Sequence, residues 1–249
     1  MKIATAIIPA RLASTRMNDK PLAELEGQPL IWWVWEAARN AHLIEDIVVA
    51  CDSKRVKKTV ESFGGRAVIT PSDIVSGTDR VAEVARNIET QWIVNVQCDE
   101  PLIQPQMLDA LVAEMIKQGT EGTQMGTLAV HVNDSSVMSN PGTAKIVVDQ
   151  SGKALYFSRQ MIPYFLNSQD ANIRYLKHIG VYMYKKEFLL KFPQLKKGPL
   201  EIAENLEQLR ALENGYRIQV VLVDEDTIHV DTVDDLIRAE KCVRSRKNR

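Results

Sequence analysis

The beginning of the chain places three cations in one loop. An apolar run that ends at Ile8 is followed by Arg11, Ser14, Arg16 and Lys20. Arginine presents a planar fork of donors and lysine a compact point charge, so cations that converge after a strand suit a polyphosphate better than a packing surface. A solvated loop can have the same composition. The residues alone therefore leave an anion site and an ordinary surface loop open.

A pair of carboxylates ends a second apolar run. Residues 92–96 are apolar except for Asn95 and show no alternation, which is typical of a strand buried on both faces, and Asp99 and Glu100 lie in the loop that follows. Carboxylates at the end of a buried strand cost free energy unless a ligand binds them. Mg²⁺ prefers one or two carboxylates together with phosphate oxygens. The alternative is that Asp99 caps a turn before Pro101. We expect a magnesium ligand and keep the cap as the competing interpretation.

Two further loops offer groups for a nucleotide. Asp52 follows a predicted strand, where its carboxylate could accept from a base amino group or a ribose hydroxyl, although capping of the next helix explains it equally well. Residues 76–80 form a glycine-containing turn at a helix start, whose amides could face a nucleotide. No GxGxxG motif, Walker loop or nucleophile elbow occurs in the chain. Side chains and ordinary amides must therefore bind the phosphates.

The elements that position these loops alternate between strand and helix. Period-two and period-3.6 patterns predict strands at 4–8, 47–50, 66–70 and 92–96 and helices at 30–41, 54–63, 79–88 and 105–118. Such a series predicts an α/β fold with a mostly parallel open sheet and helices on both faces. In an open parallel sheet the ligand binds beyond the carboxyl ends of the strands, which is where the four loops lie.

After about residue 126 the pattern becomes strand-rich. Strands are predicted at 127–132, 144–148 and 175–184, followed by a helix at 200–213, a strand at 217–223 and a helix at 232–246. We therefore expect a single domain over 1–249 with a smaller antiparallel insert at about 127–200.

Composition excludes several classes of protein. The chain has 249 residues, 45% of them hydrophobic and 25% charged, and a formal net charge of −1, which does not fit a dedicated nucleic-acid binder. Its three cysteines form no CxxC pair, which favours a reducing compartment and no structural zinc. No signal-type segment and no apolar run of about eighteen residues is present. We expect a cytoplasmic protein that does not insert into a membrane.

Longer motifs resemble one known family, the 3-deoxy-manno-octulosonate (Kdo) cytidylyltransferases, also called CMP-Kdo synthetases. The resemblance covers nearly the whole chain, and YFSRxxIP, HxGxY and LEQLR together are specific to the family. The matching segments are IPARLASTR (8–16), KPL (20–22), SGTDR (76–80), VNVQCDEPLI (94–103), ALYFSRQMIP (154–163), KHIGVY (177–182), LEQLRALENG (206–215) and VDTVDDL (230–236).

The resemblance implies a nucleotide-diphospho-sugar transferase-like fold and a reaction. The anomeric hydroxyl of Kdo would attack the α-phosphorus of CTP and release pyrophosphate, for lipopolysaccharide biosynthesis. It also implies Mg²⁺ on Asp99 and Asp231 and a homodimer formed through the insert. The implied nucleotide ligands are Ala10, Arg11, Ser14, Lys20, Asp52, Ser76 and Arg80, with Arg11, Lys20, Asp99 and Asp231 catalytic. The implied sugar ligands are Arg16, Gln97, Arg159, His178, Glu204 and Gln208.

Three departures from the family pattern qualify these expectations. The family has Pro-Gly where this chain has Asn18-Asp19, Gly where it has Cys98, and Pro-Glu where it has Val233-Asp234. We expect the Cys98 loop to have a negative φ, because the rest of its motif is kept. A nucleotidyltransferase for another sugar or nucleotide, or a non-catalytic nucleotide-binding relative, remains the alternative.

Only one of the four histidines lies in a family motif. His178 belongs to KHIGVY, and a satisfied core histidine is its structural alternative. His42 and His131 are expected at the surface or at an edge, and His229 is expected merely to precede a strand end.

Overall fold

The computed structural model describes residues 3–12, 17–74, 76–118, 122–166 and 174–247. Its strands are β1 Ala4–Ala10, β2 Glu24–Leu25, β3 Gln28–Pro29, β4 Ile44–Cys51, β5 Arg66–Ile69, β6 Trp92–Val96, β7 Met125–Val132, β8 Lys145–Val148, β9 Ala154–Ser158, β10 Tyr175–Lys185 and β11 Ile218–Val223. Its α-helices are α1 Leu30–Asn40, α2 Lys54–Ser62, α3 Gly77–Ala85, α4 Pro105–Lys117, α5 Ser135–Ser139, α6 Lys186–Lys191, α7 Pro199–Glu204, α8 Gln208–Glu213 and α9 Val233–Lys247.

One mixed sheet organises these elements. Its strand order is β11-β7-β10-β6-β1-β4-β5, and β8 and β9 extend it beside β10. The pairs β6-β1, β1-β4, β4-β5 and β7-β11 are parallel, whereas β10 runs antiparallel to both β6 and β7. The parallel βαβ series predicted for the first half of the chain is confirmed. The carboxyl ends of β1, β4 and β6 therefore meet at one edge.

The strand-rich segment is continuous with the main sheet. We expected an antiparallel insert, and β8 and β9 do form a smaller antiparallel part with β10. The strands β7 and β10 instead extend the central sheet, because β10 pairs with β6 over residues 181–185. The described strands of this segment are thus part of the same sheet.

Helices cover both faces of the sheet, as the apolar runs predict. Every residue of β1 and β6 is buried. Along β1 the side chains alternate, since Ala6 and Ile8 belong to one core cluster and Ile7 to the other. The first cluster includes Val34 of α1, and the second includes Val81 of α3. Among the described residues, no helix combines the length and apolar character needed to cross a bilayer.

Two local predictions differ from the structure. The single helix predicted over 200–213 is wrong: α7 and α8 are separated at Asn205, whose φ of 50° lies in the left-handed region. Asparagine tolerates this conformation better than most residues, so it can end a helix as glycine does. The strand β9 was not predicted, and α3 begins at Gly77 rather than Asp79 because Ser76 caps it. The Ser76 hydroxyl accepts from the amides of Thr78 and Asp79.

Candidate active site

The two aspartates predicted as metal ligands lie side by side although they are far apart in the sequence. The Val230 amide donates to the Asp99 carbonyl at 2.8 Å, which joins the loop after β6 to the segment before α9. Between the two carboxylates lies Lys20, whose Nζ is 2.7 Å from Asp99 Oδ2 and 2.8 Å from Asp231 Oδ1. The alternative role of Asp99 as a turn cap is not seen, because its side chain binds Lys20.

The start of α9 holds Asp231 in place. The Asp235 carboxylate accepts from the amides of Asp231 and Thr232, at 3.1 and 3.0 Å, and the Asp235 amide donates to Thr232 Oγ1 at 3.2 Å. This reciprocal pattern is a capping box with aspartate at its third position. Val233 and Asp234, which replace the family's Pro-Glu, are exposed in the first turn and leave the box intact.

Electrostatics keep this cluster charged. Burial lowers the pKa of Lys20, but the neighbouring Asp99 and Asp231 outweigh burial and raise it above its ordinary value. Burial raises the pKa of Asp231, but His229 and Lys20 outweigh burial and lower it below its usual range. Asp231 therefore stays ionised at a lower pH than an ordinary aspartate does.

The carboxylates also fit a divalent cation. Asp99 Oδ1 is buried and has no hydrogen-bond partner. A buried carboxylate oxygen without a partner carries a large desolvation cost, which coordination to a cation would remove. Oxygen donors of two carboxylates are the set that Mg²⁺ uses together with phosphates.

The structure adds a histidine and a glutamate to this cluster. His229 Nε2 lies 3.2 Å from Asp231 Oδ2, and Nδ1 lies 3.2 Å from Glu100 Oε1. One ligand atom each from Asp99, His229 and Asp231 lie within 4.8 Å of one another. Burial lowers the pKa of His229, but the carboxylates outweigh burial and hold the pKa well above its ordinary value. The expectation that His229 merely precedes a strand end is therefore wrong.

The position of His229 had one possible sequence signal. In extended chain, residues two apart project to the same side, so His229 and Asp231 share a face if their segment is extended. Nothing in the sequence pairs this segment with Glu100, which is 129 residues away.

The loop after β1 reaches the same edge. Ala10 ends β1 as a buried residue, and Arg11 follows it as an exposed one. Lys20 begins a short 3-10 helix and is buried. Ser14 and Arg16, predicted to bind phosphate and sugar, lie outside the described residues.

The candidate nucleotide residues of the next loops contact one another. Asp52 Oδ1 accepts from the Leu12 amide at 3.2 Å, and Oδ2 lies 3.7 Å from Arg80 Nη2. Ser53, not Asp52, caps α2. Arg80 is only 1% exposed, and its guanidinium donates to the Ile74 carbonyl at 2.8 Å. Arg80 thus fixes the loop before α3 and orients Asp52.

The start of α3 packs against the end of β6. A Cβ at Gly77 would lie 3.2 Å from Gln97 Oε1, so a larger residue would press on this amide. Gln97 Nε2 in turn donates to Asn95 Oδ1 at 2.8 Å. The glycine of the SGTDR segment therefore permits a close approach between the predicted nucleotide loop and the predicted sugar ligand Gln97.

Two other predicted sugar residues form one bonded unit. Glu204 Oε2 accepts from the Arg159 amide at 2.8 Å, and Glu204 Oε1 accepts from Ser158 Oγ at 2.6 Å. The Arg159 guanidinium donates to the carbonyls of Glu204, Asn205 and Pro141 at 2.6–3.2 Å. The break between α7 and α8 thus supplies two of the three carbonyls that hold the Arg159 guanidinium.

His178 and Gln208 belong to a second unit, at a bulge of β10. His178 Nε2 and Thr127 Oγ1 share a hydrogen bond of 3.0 Å, and the His178 ring packs against Tyr182 with centroids 5.4 Å apart. The Tyr182 hydroxyl donates to Gln208 Oε1 at 3.1 Å, whereas Gln208 Nε2 is buried without a hydrogen-bond partner. The unpaired amide nitrogen is a donor suited to a hydroxyl or carboxylate of a ligand.

The burial of His178 predicts a pH dependence of stability. Burial lowers the pKa of His178 to about 4, from an ordinary value of 6.5. The unfolded chain therefore binds more protons between these values, and the free energy of unfolding should fall by up to about 3 kcal/mol as the pH drops through this window. Denaturant unfolding at several pH values measures this slope.

A matched variant isolates the contribution of His178. In His178→Gln the free energy of unfolding should fall less on acidification than it does in the wild type. The control is His131→Gln, because His131 is exposed on the adjacent strand β7, and this variant should keep the wild-type slope. Equal slopes for the wild type and His178→Gln would show that this histidine is not held neutral.

Comparison with known proteins identifies the family. A family model described as cytidylyltransferase matches residues 5–218. The 3-deoxy-manno-octulosonate cytidylyltransferase of Geotalea daltonii is 44% identical over 255 residues, covering 99% of this chain and 100% of the relative. That of Syntrophotalea carbinolica is 46% identical over 247 residues, covering 96% and 98%. The chain belongs to the 3-deoxy-manno-octulosonate cytidylyltransferase family.

Solved structures agree with this assignment. The structure of CMP:2-keto-3-deoxy-manno-octonic acid synthetase complexed with CTP is 36% identical and superposes with a TM-score of 0.91, covering 98% of this chain and 100% of its own. A 4-diphosphocytidyl-2C-methyl-D-erythritol synthase from Anaerococcus prevotii is 13% identical with a TM-score of 0.65, covering 98% and 99%, and shows the fold alone. The predicted cytidylyltransferase fold is confirmed.

Two departures from the family pattern have local explanations in this cytidylyltransferase. Asp19 has a φ of 52°, so the turn before Lys20 keeps a left-handed residue although glycine is absent. Asp19 Oδ2 lies 2.8 Å from Arg55 Nη1, which partly offsets its charge. Cys98 is 8% exposed and is not among the positive-φ residues, as expected. Burial raises the pKa of the Cys98 thiol to about 12, so it stays protonated.

Glycine at position 98 should therefore raise neither the stability nor the activity of the protein. Cys98→Gly should lower the free energy of unfolding by roughly 0.4–1 kcal/mol, because glycine adds freedom to the unfolded chain and the native φ needs no glycine. Cys98→Ala is the matched control, since it removes sulfur but keeps the backbone restriction. Thermal unfolding and pyrophosphate release of both variants test this. A rise in both quantities for Cys98→Gly would mean that the loop is strained.

Proposed function

We propose that this chain transfers CMP from CTP to the anomeric hydroxyl of Kdo, or of a close eight-carbon acid sugar, and releases pyrophosphate, in lipopolysaccharide biosynthesis. Relatives named for this activity match it over nearly their whole length. The observation that carries the proposal is the convergence of Lys20, Asp99 and Asp231 at the carboxyl end of the sheet. This is where an open parallel sheet binds its ligand.

The reaction requires positioning and charge compensation rather than covalent catalysis. The sugar hydroxyl oxygen forms a bond to the α-phosphorus, the bond from that phosphorus to the pyrophosphate oxygen breaks, and the hydroxyl proton is released. Lys20 and Arg11 are the cations that we assign to the charge on the triphosphate. The buried ammonium of Lys20 costs no reorganisation at the moment of reaction, because Asp99 and Asp231 already fix it.

We assign a divalent cation, Mg²⁺, to Asp99 and Asp231. The partnerless oxygen of Asp99 and the capping box that fixes Asp231 support this assignment. When bound, the ion would orient the phosphates and acidify the attacking hydroxyl.

The remaining predicted residues divide between the two substrates. For the nucleotide we propose Ala10, Arg11, Ser14, Lys20, Asp52, Ser76 and Arg80. For the acid sugar we propose Arg16, Gln97, Arg159, His178, Glu204 and Gln208. Arg80 and Glu204 act as positioning residues in this scheme, because they hold Asp52 and Arg159 respectively.

We further propose a cytoplasmic homodimer that forms through residues 127–200. Leu155, Tyr164 and Leu166 of this segment are 62–85% exposed, and association with a second copy would cover such apolar side chains. Cys51, Cys98 and Cys242 are free thiols, which fits a reducing compartment. Sedimentation of the purified chain and of a Leu155→Lys variant would test the dimer.

One assay tests the proposed function. Purified protein, CTP, Mg²⁺ and Kdo should release pyrophosphate, and omission of any one of them should stop the release. A panel of nucleotides and of acidic and neutral sugars separates the proposed enzyme from a nucleotidyltransferase with another substrate. Nucleotide binding without pyrophosphate release from any pair would contradict the proposal in favour of a non-catalytic binding protein.

A further inference from the structure

We propose that His229 is a third protein ligand of the metal, bound through Nε2, and that it shifts the metal preference of this enzyme from Mg²⁺ toward a first-row transition ion such as Mn²⁺. This inference rests on the proposed function, since it uses the cation assigned to Asp99 and Asp231. It goes further because it adds a nitrogen ligand to a site that would otherwise offer only oxygen.

The distances suit a shared ion. Two ligand atoms that each lie about 2.1 Å from one ion, at adjacent positions, are about 3.0–3.4 Å apart. His229 Nε2 and Asp231 Oδ2 are 3.2 Å apart. Lys20 binds the other oxygen of Asp231 and Oδ2 of Asp99, so the ammonium does not occupy this side of the cluster.

The second observation is an unsatisfied oxygen in the same cluster. Asp99 Oδ1 lies 3.6 Å from His229 Nδ1, is buried and has no hydrogen-bond partner, and one ligand atom each of Asp99, His229 and Asp231 lie within 4.8 Å of one another. A cation bound between these three residues would give Asp99 Oδ1 a partner and would replace the direct contact of His229 Nε2 with Asp231 Oδ2.

Glu100 selects the ring nitrogen that binds. It is only 3% exposed, and it accepts from Thr227 Oγ1 at 2.8 Å and lies 3.2 Å from His229 Nδ1. Histidine ligands of metals almost always donate the second ring nitrogen to a carboxylate or carbonyl, which fixes the ring and its tautomer. With the Nδ1 proton donated to Glu100, Nε2 is the nitrogen that faces Asp231, and a metal ion that binds there would displace the proton that Nε2 otherwise shares with Asp231.

The chemistry of the donor determines the metal. Mg²⁺ is a hard ion that favours carboxylate, phosphate and water, whereas imidazole suits the first-row transition ions. Mn²⁺ accepts both donor types with octahedral geometry and can replace Mg²⁺ on phosphates. Adding one imidazole to a site of two carboxylates should therefore raise the affinity for Mn²⁺ more than the affinity for Mg²⁺.

Electron paramagnetic resonance of Mn²⁺ bound to the full-length protein, with and without CTP, tests the ligand directly. We expect a directly coordinated ¹⁴N in the wild type that is lost in His229→Gln, with Mn²⁺ affinity lowered about tenfold or more and Mg²⁺ affinity changed less than about threefold. Glu100→Gln should keep the nitrogen coupling but weaken Mn²⁺ binding by about tenfold or more. The exposed histidine variant His42→Gln should match the wild type.

The outcomes separate this inference from the proposed function. The wild-type spectrum needs no variant to fold, so absence of a coordinated nitrogen, with Mn²⁺ binding that Asp99→Asn abolishes, would overturn the role of His229 and leave the metal site in place. Mn²⁺ and Mg²⁺ affinities that fall equally in His229→Gln would also overturn it, since the histidine would then act as a fixed cation or packing group. Mn²⁺ binding unaffected by Asp99→Asn would instead contradict the metal assignment itself.

Discussion

Asp99→Asn should lower the rate of pyrophosphate release by about 100-fold or more while the protein stays folded, and Asp231→Asn should do the same. Asparagine keeps the size of the side chain but removes the charge that holds a divalent cation. We expect the two substitutions to lower turnover equally, because Lys20 bridges the two carboxylates. The segments that carry them are also joined by the hydrogen bond from the Val230 amide to the Asp99 carbonyl. Steady-state kinetics over a range of metal concentrations measures the loss.

A second aspartate variant controls for the chemical change itself. Asp46 forms an exposed pair with Arg66 near the amino end of β4, away from the cluster, and Asp46→Asn should keep normal turnover. Each variant should unfold cooperatively near the wild-type temperature. A folded Asp99→Asn protein with near-normal turnover at low metal concentration would remove Asp99 from the metal site.

An element of the fold is predictable from the sequence when its own residues carry a clear hydrophobic pattern. Residues 92–96 are apolar except for Asn95, and the structure buries the whole strand at the same bounds. The prediction of one helix over 200–213 is wrong because Asn205 has a left-handed conformation, which an uninterrupted helical pattern does not reveal. The sequence does not predict β9, because this short strand is stabilised by its pairing with β8, and that pairing is a tertiary property.

The site is predictable as far as strand ends determine it. The rule that ligands bind beyond the carboxyl ends of parallel strands places Asp99, and the resemblance adds Asp231. The partners of these residues follow from contacts between distant segments, such as those of Glu100 with Thr227 and His229. Such contacts have no sequence period, so the sequence alone does not place His229 in the site.

Lys20→Met should destabilise the protein and also weaken its use of CTP. The Nζ of Lys20 binds both aspartates, whose side chains are 17% exposed, so its removal leaves two neighbouring carboxylates with less compensation. Removing one partner of a buried ion pair costs about 3–5 kcal/mol, so the free energy of unfolding in EDTA should drop by about 3 kcal/mol. A saturating divalent cation should restore part of this loss, because it binds the folded carboxylates and not the unfolded chain.

Comparison with an exposed lysine separates these effects from loss of any surface charge. Lys57 pairs with Glu61 on α2 at 3.7 Å, and Lys57→Met should change stability by less than about 1 kcal/mol, since exposed pairs contribute little. The KM for CTP should rise in Lys20→Met and stay unchanged in Lys57→Met, because only Lys20 lies where the triphosphate is assigned. If Lys20→Met in EDTA were as stable as the wild type and kept its KM for CTP, the ammonium would neither hold the carboxylates nor meet the phosphates. The cation bound by Asp99 and Asp231 would then have to balance the charge of the site alone.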